Sequence, residues 1–292
     1  MRKIAVIFLI LFAPLLFSIK ASCEHTAKYA LVITIDGLRP DAILKADAPN
    51  LKALIKEGSY TPFAKTVDPP KTLPSLISLV TGLVPNKHGT NKNEWNPDMG
   101  YIKFETIFTL AKKEGFSTTM FAGKDKLYFI AVPNSIDKIE VIKYNSTSVE
   151  KITESFTSFM KENMPGVTLI HFPEPDIPGH KNGWMSEEYF DSIKNVDIQL
   201  GKIITSLKQA EVYDKTFLVI TSDHGGKSYT HRGDHPYVTT IPWLAVGKEV
   251  KQNYSIKEEV NIYDTAPTIL KALGIDLPQN IDGHVIEEIF TH

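Results

Sequence analysis

The chain has 292 residues, of which 42% are hydrophobic and 23% are charged, as in an ordinary globular protein with one large α/β domain or two small ones. Its formal net charge of −2 gives no broad basic surface, which argues against binding to a nucleic-acid polymer. The single cysteine, Cys23, excludes a disulfide framework, so a zinc site would have to use His, Asp and Glu.

The first segment of the chain is typical of a signal peptide. Two basic residues precede an apolar run at residues 4–19, and small residues follow around Cys23. The run is shorter than the roughly 20 residues of a usual membrane span, although a membrane anchor is the alternative. A lipoprotein signal is disfavoured because Lys20 stands where a small residue would precede a lipidated cysteine. We predict that residues 1–23 are cleaved, leaving a periplasmic or secreted protein without a stable membrane span.

Continuous apolar, β-branched runs predict five buried strands. The first reads YALVITI and ends at Asp36-Gly37. The five runs lie at residues 29–35, 116–121, 167–172, 216–221 and 241–246. Strands that are apolar throughout are typical of a parallel sheet covered on both faces.

Helical patterns alternate with these strands. They lie at residues 48–57, 74–80, 106–114, 149–162, 186–210 and 263–273. Several end at a glycine, which is a common helix stop. The alternation predicts a three-layer α/β/α sandwich with a mostly parallel central sheet, in one domain from about residue 26 to residue 292. Functional residues of such sheets collect beyond the carboxyl ends of the strands.

Carboxylate and imidazole side chains follow three of the predicted strands. These residues are Asp36, Asp176, His180, Asp223, His224 and His231. The prolines and glycine around Asp176 and His180 predict a rigid loop rather than a helix. Each signal alone is weak, since Asp-Gly after a strand is often only a turn. Together the six residues suit a two-metal site, because carboxylate and neutral imidazole are zinc ligands.

Thr72 stands at a predicted helix start, in the segment DPPKTLPSLISLVTG. It occupies the expected N-cap position, with Pro74 in the first turn and Gly82 after the end. A purely structural cap is one interpretation. A helix start also favours anions through its free N–H groups, so a hydroxyl there could act as a nucleophile beside a bound phosphate.

These segments resemble the alkaline phosphatase superfamily, and within it the type I phosphodiesterase/nucleotide pyrophosphatase family. The resemblance runs from about residue 29 to the C-terminus. It rests on ITIDGLRPD, KTLPSLISLVTGLVPNKHG, HFPEPDIPGH, SDHGG and the His231 loop before IPWLAVG. It implies a phosphodiester/pyrophosphate hydrolase that acts on small phosphodiesters or nucleotides, holds two Zn²⁺ ions and forms a covalent phospho-threonine at Thr72.

The resemblance also implies residue roles. One zinc would be bound by Asp36, Thr72, Asp223 and His224, and the other by Asp176, His180 and His231. Asn93 would help to hold a phosphoryl oxygen. His235 is an alternative to His231, which is preferred although Arg232 replaces the glycine expected after it. His88 is interpreted as structural, and no role is assigned to His25, His171, His284 or His292.

The substrate class stays open. The segment TLPSL lacks the modified Cys or Ser and the Arg of sulfatases, and no additional cation that would hold a dianion is identified, which favours diesters. Leu73 replaces the aromatic residue that often follows the nucleophile in nucleotide pyrophosphatases. Trp95, Tyr128 and Phe129 could stack on a base instead, or simply pack in the core.

Two lysines motivate the alternative of phosphomonoester or phosphonate hydrolysis. Lys124 and Lys126 lie in GKDKL, which is similar to a lysine segment of phosphonoacetate hydrolase. They would bind substrate or, alternatively, form a solvated turn. A third hypothesis is an exported binding protein with an inactive fold. The oligomeric state is not predicted.

Overall fold

The computed structural model describes residues 27–291. The predicted signal peptide at residues 1–23, which includes Cys23, lies outside the described residues, as do His25 and the terminal His292. No helix between residues 27 and 291 is both long and apolar enough to cross a membrane.

A central sheet of eight strands runs through the described part of the chain, in the order β4-β3-β5-β1-β6-β7-β2-β8. The strands are β1 (Tyr29–Ile35), β2 (Ser59–Lys65), β3 (Thr118–Ala122), β4 (Lys138–Val141), β5 (Val167–Phe172), β6 (Thr216–Thr221), β7 (Thr240–Val246) and β8 (Tyr254–Ser255). Only β7 runs antiparallel to its neighbours, β6 and β2, within this sheet, and the other pairings are parallel. The prediction of a mostly parallel sheet is confirmed.

Helices cover both faces of the sheet. They are α1 (Pro40–Lys45), α2 (Pro49–Glu57), α3 (Thr72–Thr81), α4 (Pro85–His88), α5 (Ile107–Lys113), α6 (Ser148–Phe159), α7 (Asp176–Asn182), α8 (Glu187–Gln209), α9 (Pro236–Thr239) and α10 (Thr265–Ala272). Alternate residues of β1 belong to two separate hydrophobic clusters, because successive side chains of a strand point to opposite faces. Val32 packs with α3, α5 and α10, whereas Ile33 packs with α2, α6 and α8. The three-layer sandwich is therefore confirmed.

Helix α7 contradicts the predicted rigid loop around Asp176 and His180. The helix begins at Asp176, directly after Pro175, and Pro178 is its third residue. A proline is tolerated there because the first N–H groups of a helix have no partner within the helix. Asp176 and His180 therefore lie one turn apart on the same face of a helix.

Helix α3 begins one residue earlier than the sequence suggested. Lys71, with extended backbone, is the N-cap, and Thr72 is the first helical residue rather than the cap. Gly82 ends the helix in the left-handed conformation with φ of 69°. The whole of α3 is buried, which fixes the position of Thr72.

Candidate active site

Three aspartates meet at the carboxyl ends of neighbouring strands. Asp36 follows β1 directly, Asp176 begins α7 after β5, and Asp223 follows β6 after one intervening residue. The backbone N–H of Asp176 donates to the carbonyl oxygen of Asp36 at 2.9 Å, and that of Gly37 donates to Asp223 Oδ1 at 3.1 Å. All three carboxylates are buried. The adjacency of the three strands thus brings distant parts of the sequence together.

Gly37 permits this close approach. A Cβ atom at this position would lie 2.8 Å from Cα of Asp176, and the backbone φ is +75°. Any larger side chain would push the two loops apart or strain the backbone. The Asp-Gly dipeptide that looked like an ordinary turn is therefore also a packing requirement of the site.

One group of possible metal ligands consists of Asp36, Asp223 and His224, with one ligand atom of each within 4.8 Å of the others. His224 Nε2 lies 3.3 Å from Asp223 Oδ2 and 3.6 Å from Asp36 Oδ1. These three atoms are buried and lack a hydrogen-bond partner among the described residues. His224 Nδ1 donates to the carbonyl oxygen of Gly225 at 2.9 Å, which leaves the Nε2 lone pair for a ligand. Buried unsatisfied atoms of this kind fit a bound cation.

Asp176, His224 and His231 form a second group, in which one ligand atom of each residue also lies within 4.8 Å of the others. The rings of His224 and His231 stack with centroids 3.8 Å apart. Burial lowers the pKa of His231 to about 4, so its imidazole is neutral and able to bind a metal. His231 Nδ1 donates to the carbonyl oxygen of Pro70 at 2.8 Å, which leaves Nε2 for the site.

His180 lies at the edge of the second group rather than within it. Its Nε2 is 3.4 Å from Asp176 Oδ1, and its ring centroid is 5.0 Å from that of His231. Its Nδ1 donates to the carbonyl oxygen of Tyr229 at 3.0 Å. The structure therefore brings all six predicted Asp and His residues into one region.

The electrostatic field of the site is strongly negative around these ligands. Burial alone would raise the pKa of Asp36, but Lys124 and a hydrogen bond from His171 hold it well below its usual value. Burial and the charge of Asp36 raise the pKa of Asp223. Burial would lower the pKa of His224, but the surrounding carboxylates outweigh burial and raise it. The same carboxylates would attract a divalent cation.

Thr72 lies beside the first group, at the buried start of α3. Its Oγ1 is 3.5 Å from Asp36 Oδ2. Asn93 is anchored nearby, because its Oδ1 accepts the backbone N–H of Leu73 at 3.0 Å. The Nδ2 donors of Asn93 thus have no partner among the described residues. Leu73 itself is fully buried, so it cannot stack on a ligand.

Lys124 links the two groups. Its Nζ is 2.6 Å from Asp36 Oδ2, 2.8 Å from Asp176 Oδ2 and 3.4 Å from Thr72 Oγ1. The side chain is only 15% exposed, so the solvated turn considered for this lysine is wrong. Burial would lower the pKa of Lys124, but the three aspartates outweigh it and raise the pKa. Burial and the charge of Lys124 lower the pKa of the nearby Lys126, which makes no ion pair in the described chain.

His171 was missed by the sequence analysis. It lies within β5, is completely buried, and its Nε2 is 3.1 Å from Asp36 Oδ2. Since Asp36 is ionised, Nε2 carries the proton and donates it. A histidine within the apolar run VTLIHF was the available signal, because a buried imidazole needs a polar partner.

The remaining described histidines have other partners. His235 accepts the backbone N–H of Tyr237 at the start of α9, and it belongs to neither ligand group of the described residues, which favours His231 over it. His88 lies between Ser78 and Thr90 in hydrogen-bond contact with both, as expected for a structural histidine. His284 Nδ1 lies 3.1 Å from Asp264 Oδ1.

Trp95, Tyr128 and Phe129 are all partly buried. The rings of Trp95 and Tyr128 lie 5.5 Å apart, and Trp95 Nε1 donates to the carbonyl oxygen of Gly100 at 2.8 Å. Trp95 and Phe129 also pack against the hydrophobic core. These contacts agree with the packing alternative for Trp95 and Phe129, and stacking on a base stays a prediction.

A cavity of about 690 Å³ opens beside His180 and His231. Two chain segments, residues 68–71 and 229–233, form most of its wall, and Asn93 completes it. The cavity is therefore continuous with the second ligand group and with the residues around Thr72.

Most of the chain matches a known protein family. Residues 30–273 match the family described as type I phosphodiesterase / nucleotide pyrophosphatase. Bis(5'-adenosyl)-triphosphatase enpp4 of Mus musculus is 28% identical over 224 residues, which cover 70% of this chain and 48% of that protein. The chain thus spans about half the length of this curated relative.

Solved structures share the fold. The inactive variant of murine ectonucleotide pyrophosphatase/phosphodiesterase 5 in complex with AMP has a TM-score of 0.74 and 18% identity, and the match covers 90% of this chain and 100% of that one. Phosphonate monoester hydrolase of Agrobacterium radiobacter has a TM-score of 0.72 and 15% identity, covering 90% and 77%. The family match extends over most of the chain, from β1 to α10. The chain belongs to the type I phosphodiesterase/nucleotide pyrophosphatase family, within the alkaline phosphatase superfamily.

Proposed function

We propose that the chain is a phosphoester hydrolase with two zinc ions, which cleaves phosphodiester or pyrophosphate bonds of small phosphodiesters or nucleotides through a covalent phospho-threonine at Thr72. One observation carries the proposal: the Thr72 hydroxyl lies at a buried helix start, beside two carboxylate–imidazole groups that share His224. The AMP complex of the solved relative is in keeping with a nucleotide substrate.

The proposed metal ligands fit zinc in residue type. One ion would be held by Asp36, Thr72, Asp223 and His224, and the other by Asp176, His180 and His231. The unpartnered buried atoms of Asp36, Asp176, Asp223 and His224 support this assignment. Bound zinc would lower the pKa of the attacking hydroxyl and stabilise negative charge on the leaving oxygen.

The side chains of this protein would then perform a double displacement. Thr72 Oγ1 forms a bond to phosphorus while the bond from phosphorus to the leaving oxygen breaks, and its electron pair goes to that oxygen. The threonine proton passes to solvent. Asn93, held by the Leu73 N–H, has Nδ2 donors with which to bind a phosphoryl oxygen. Water finally attacks phosphorus and releases Thr72 with its hydroxyl restored.

Turnover by the purified full chain tests this proposal. An aryl phosphodiester and an aryl phosphomonoester are compared, with and without chelator, for the wild type and Thr72→Ala. We expect faster diester turnover, zinc in the protein, and a loss of about 10³-fold or more in Thr72→Ala, because the nucleophile is removed. Full turnover by Thr72→Ala, or near-zero zinc in protein made without chelator, would overturn the proposal.

Phosphomonoester or phosphonate hydrolysis is the second candidate, and the contacts of Lys124 favour it. Two divalent ions and Lys124 would bring a positive excess of two charges over the three aspartates, which matches a dianionic phosphoryl group. Lys124→Met should then lower monoester turnover far more than diester turnover, and Lys126→Ala tests the second lysine. Equal losses on both substrates would remove this candidate.

Export of the protein is part of the proposal. The basic start and the apolar run at residues 4–19 support a cleaved signal peptide. N-terminal sequencing of the protein recovered from the cell exterior or periplasm should begin near residue 24. A protein that retains residues 1–23 in the membrane fraction would instead indicate an anchor.

A further inference from the structure

Lys124 enters the site from β3, at the same edge of the sheet as the aspartates. β3 pairs with β5, which pairs with β1, so the carboxyl ends of the three strands lie side by side. Gly123 lets β3 approach the loop after β5, because a Cβ atom there would lie 2.4 Å from Cδ of Pro173. Its N–H donates to the carbonyl oxygen of His171 at 3.1 Å. The position of Lys124 is therefore set by the packing of neighbouring strands.

Lys124 divides the oxygens of two carboxylates. Its Nζ lies 2.6 Å from Oδ2 of Asp36 and 2.8 Å from Oδ2 of Asp176. Oδ1 of each aspartate is also buried, but it has no hydrogen-bond partner among the described residues. The lysine thus holds the Oδ2 atoms and leaves the Oδ1 atoms for a metal. Asp36 belongs to one proposed metal site and Asp176 to the other, so Lys124 joins the two sites.

The charge of Lys124 acts on the aspartates and on a bound cation in opposite ways. No other lysine or arginine between residues 27 and 291 forms an ion pair with Asp36, Asp176 or Asp223. These carboxylates are buried, and like charges repel more strongly there than in water. Lys124 offsets this repulsion in the folded chain. The same positive charge lies beside the ligand atoms, so it also repels a divalent cation.

We propose that Lys124 is an internal counter-ion that stabilises the buried aspartates before metal binds and lowers the affinity of the site for its metals. Removal of the lysine should therefore make the chain without metal less stable and hold a bound metal more tightly. The inference rests on the proposed function for the presence of metal, and it adds a role for a residue that binds no metal itself. A lysine that served only to bind substrate would produce neither effect.

Thermal unfolding in the presence of chelator tests the first effect. Lys124→Met keeps much of the side-chain length without the charge. We expect its Tm to lie about 6 °C or more below that of the wild type, since one partner of a buried ion pair is lost. Lys126→Met is the matched control, because this neighbouring lysine makes no ion pair in the described chain, and its Tm should not fall.

A double variant guards against a Lys124→Met protein that does not fold in chelator. Lys124→Met combined with Asp176→Asn removes one charge of each sign. It should be more stable in chelator than Lys124→Met alone, because one buried carboxylate fewer is left without its counter-ion. A double variant that is no more stable than Lys124→Met would overturn the inference.

Zinc affinity tests the second effect without any measurement of turnover. Titration against a fluorescent zinc chelator should give Lys124→Met a zinc Kd about 10-fold or more below that of the wild type, since a unit charge no longer repels the ion. Lys124→Arg, which retains the charge, should bind zinc nearly as the wild type does. An unchanged or weaker zinc affinity in Lys124→Met, or an unchanged Tm in chelator, would overturn the inference. A wild type that binds no zinc would count against the proposed function itself.

Discussion

His171 shows how one buried residue can support the site without belonging to either proposed ligand set. It donates to Asp36 Oδ2 at 3.1 Å from inside β5, and Asp36 in turn faces Lys124 and Thr72. A hydrogen bond from a neighbouring side chain orients a carboxylate before a metal binds. His171 is therefore a positioning residue for Asp36.

Replacement of His171 should weaken metal binding more than it weakens the fold. We expect His171→Ala to reduce zinc affinity about 10- to 100-fold, because Asp36 loses its orienting donor. Competition with a chelator of known affinity measures the change. His171→Gln, which retains an N–H donor, should recover part of the affinity. An unchanged affinity in His171→Ala would show that Asp36 needs no such support.

His88 gives a prediction about pH. Burial lowers its pKa to about 4 from 6.5, and its Nδ1 accepts the N–H of Thr90. The unfolded chain therefore binds this proton first as the pH falls, and stability is lost between about pH 6.5 and pH 4. Between pH 7.5 and 5 the wild type should lose about 1 kcal/mol more unfolding free energy than His88→Asn. Equal losses of unfolding free energy over this pH range, measured by urea denaturation of the two proteins, would contradict this prediction.

Helix α2 illustrates capping by a residue from a distant element. Asp197 of α8 accepts the backbone N–H groups of Asn50 at 3.1 Å and Leu51 at 2.7 Å, while the N-cap residue Ala48 has no side chain that can do so. A buried carboxylate at a helix N-terminus also interacts favourably with the helix dipole. Asp197 thus links α8 to the N-terminus of α2, in addition to the apolar residues of both helices that share one hydrophobic cluster.

Loss of this cap should lower the stability of the fold and leave the geometry of the site unchanged. Asp197→Ala should lower the unfolding free energy by about 2–3 kcal/mol, since it leaves the buried N–H of Leu51 and the partly buried N–H of Asn50 unpaired. Asp197→Asn, which retains an acceptor, should cost less. Chemical denaturation measures both, and a loss below about 0.5 kcal/mol in Asp197→Ala would mean that water replaces the carboxylate.

The elements differ in how far their sequences predicted them. β1, β5 and β6 have the predicted bounds because central parallel strands are apolar on both faces. β2 contains Pro62 and is only partly buried, and β4 and β8 are short and partly exposed, so none of the three was predicted. The missed helix α1 has only six residues.

The features of the site also differ in how far the sequence predicted them. The meeting of Asp36, Asp176 and Asp223 could be predicted, because the ends of neighbouring parallel strands lie at one edge of the sheet. The ion pairs of Lys124 and the hydrogen bond of His171 could not, since they depend on side-chain contacts between residues far apart in sequence. Helix α7 was not predicted because its prolines argued against a helix, although the first turn of a helix tolerates them.

At the scale of the whole molecule, the proposed metals would connect the loops that follow three adjacent strands in the middle of the sheet. The proposed metal-binding Asp and His side chains follow β1, β5 and β6, which are adjacent strands. A metal ion that binds only the folded state stabilises that state by mass action. We expect chelation to lower the Tm by about 5 °C or more, since each kcal/mol shifts a domain of this size by roughly 2–4 °C. Asp36→Asn should show a much smaller shift on chelation. Equal shifts in the two proteins would place the stabilising metal elsewhere.

Anomalous X-ray diffraction at the zinc edge, from crystals of the purified protein, tests the central claim most directly. The account predicts two peaks, one among Asp36, Thr72, Asp223 and His224, and the other among Asp176, His180 and His231. Peaks at other residues, or a single peak with Lys124 still bound to both Asp36 and Asp176 in a fully active protein, would contradict it.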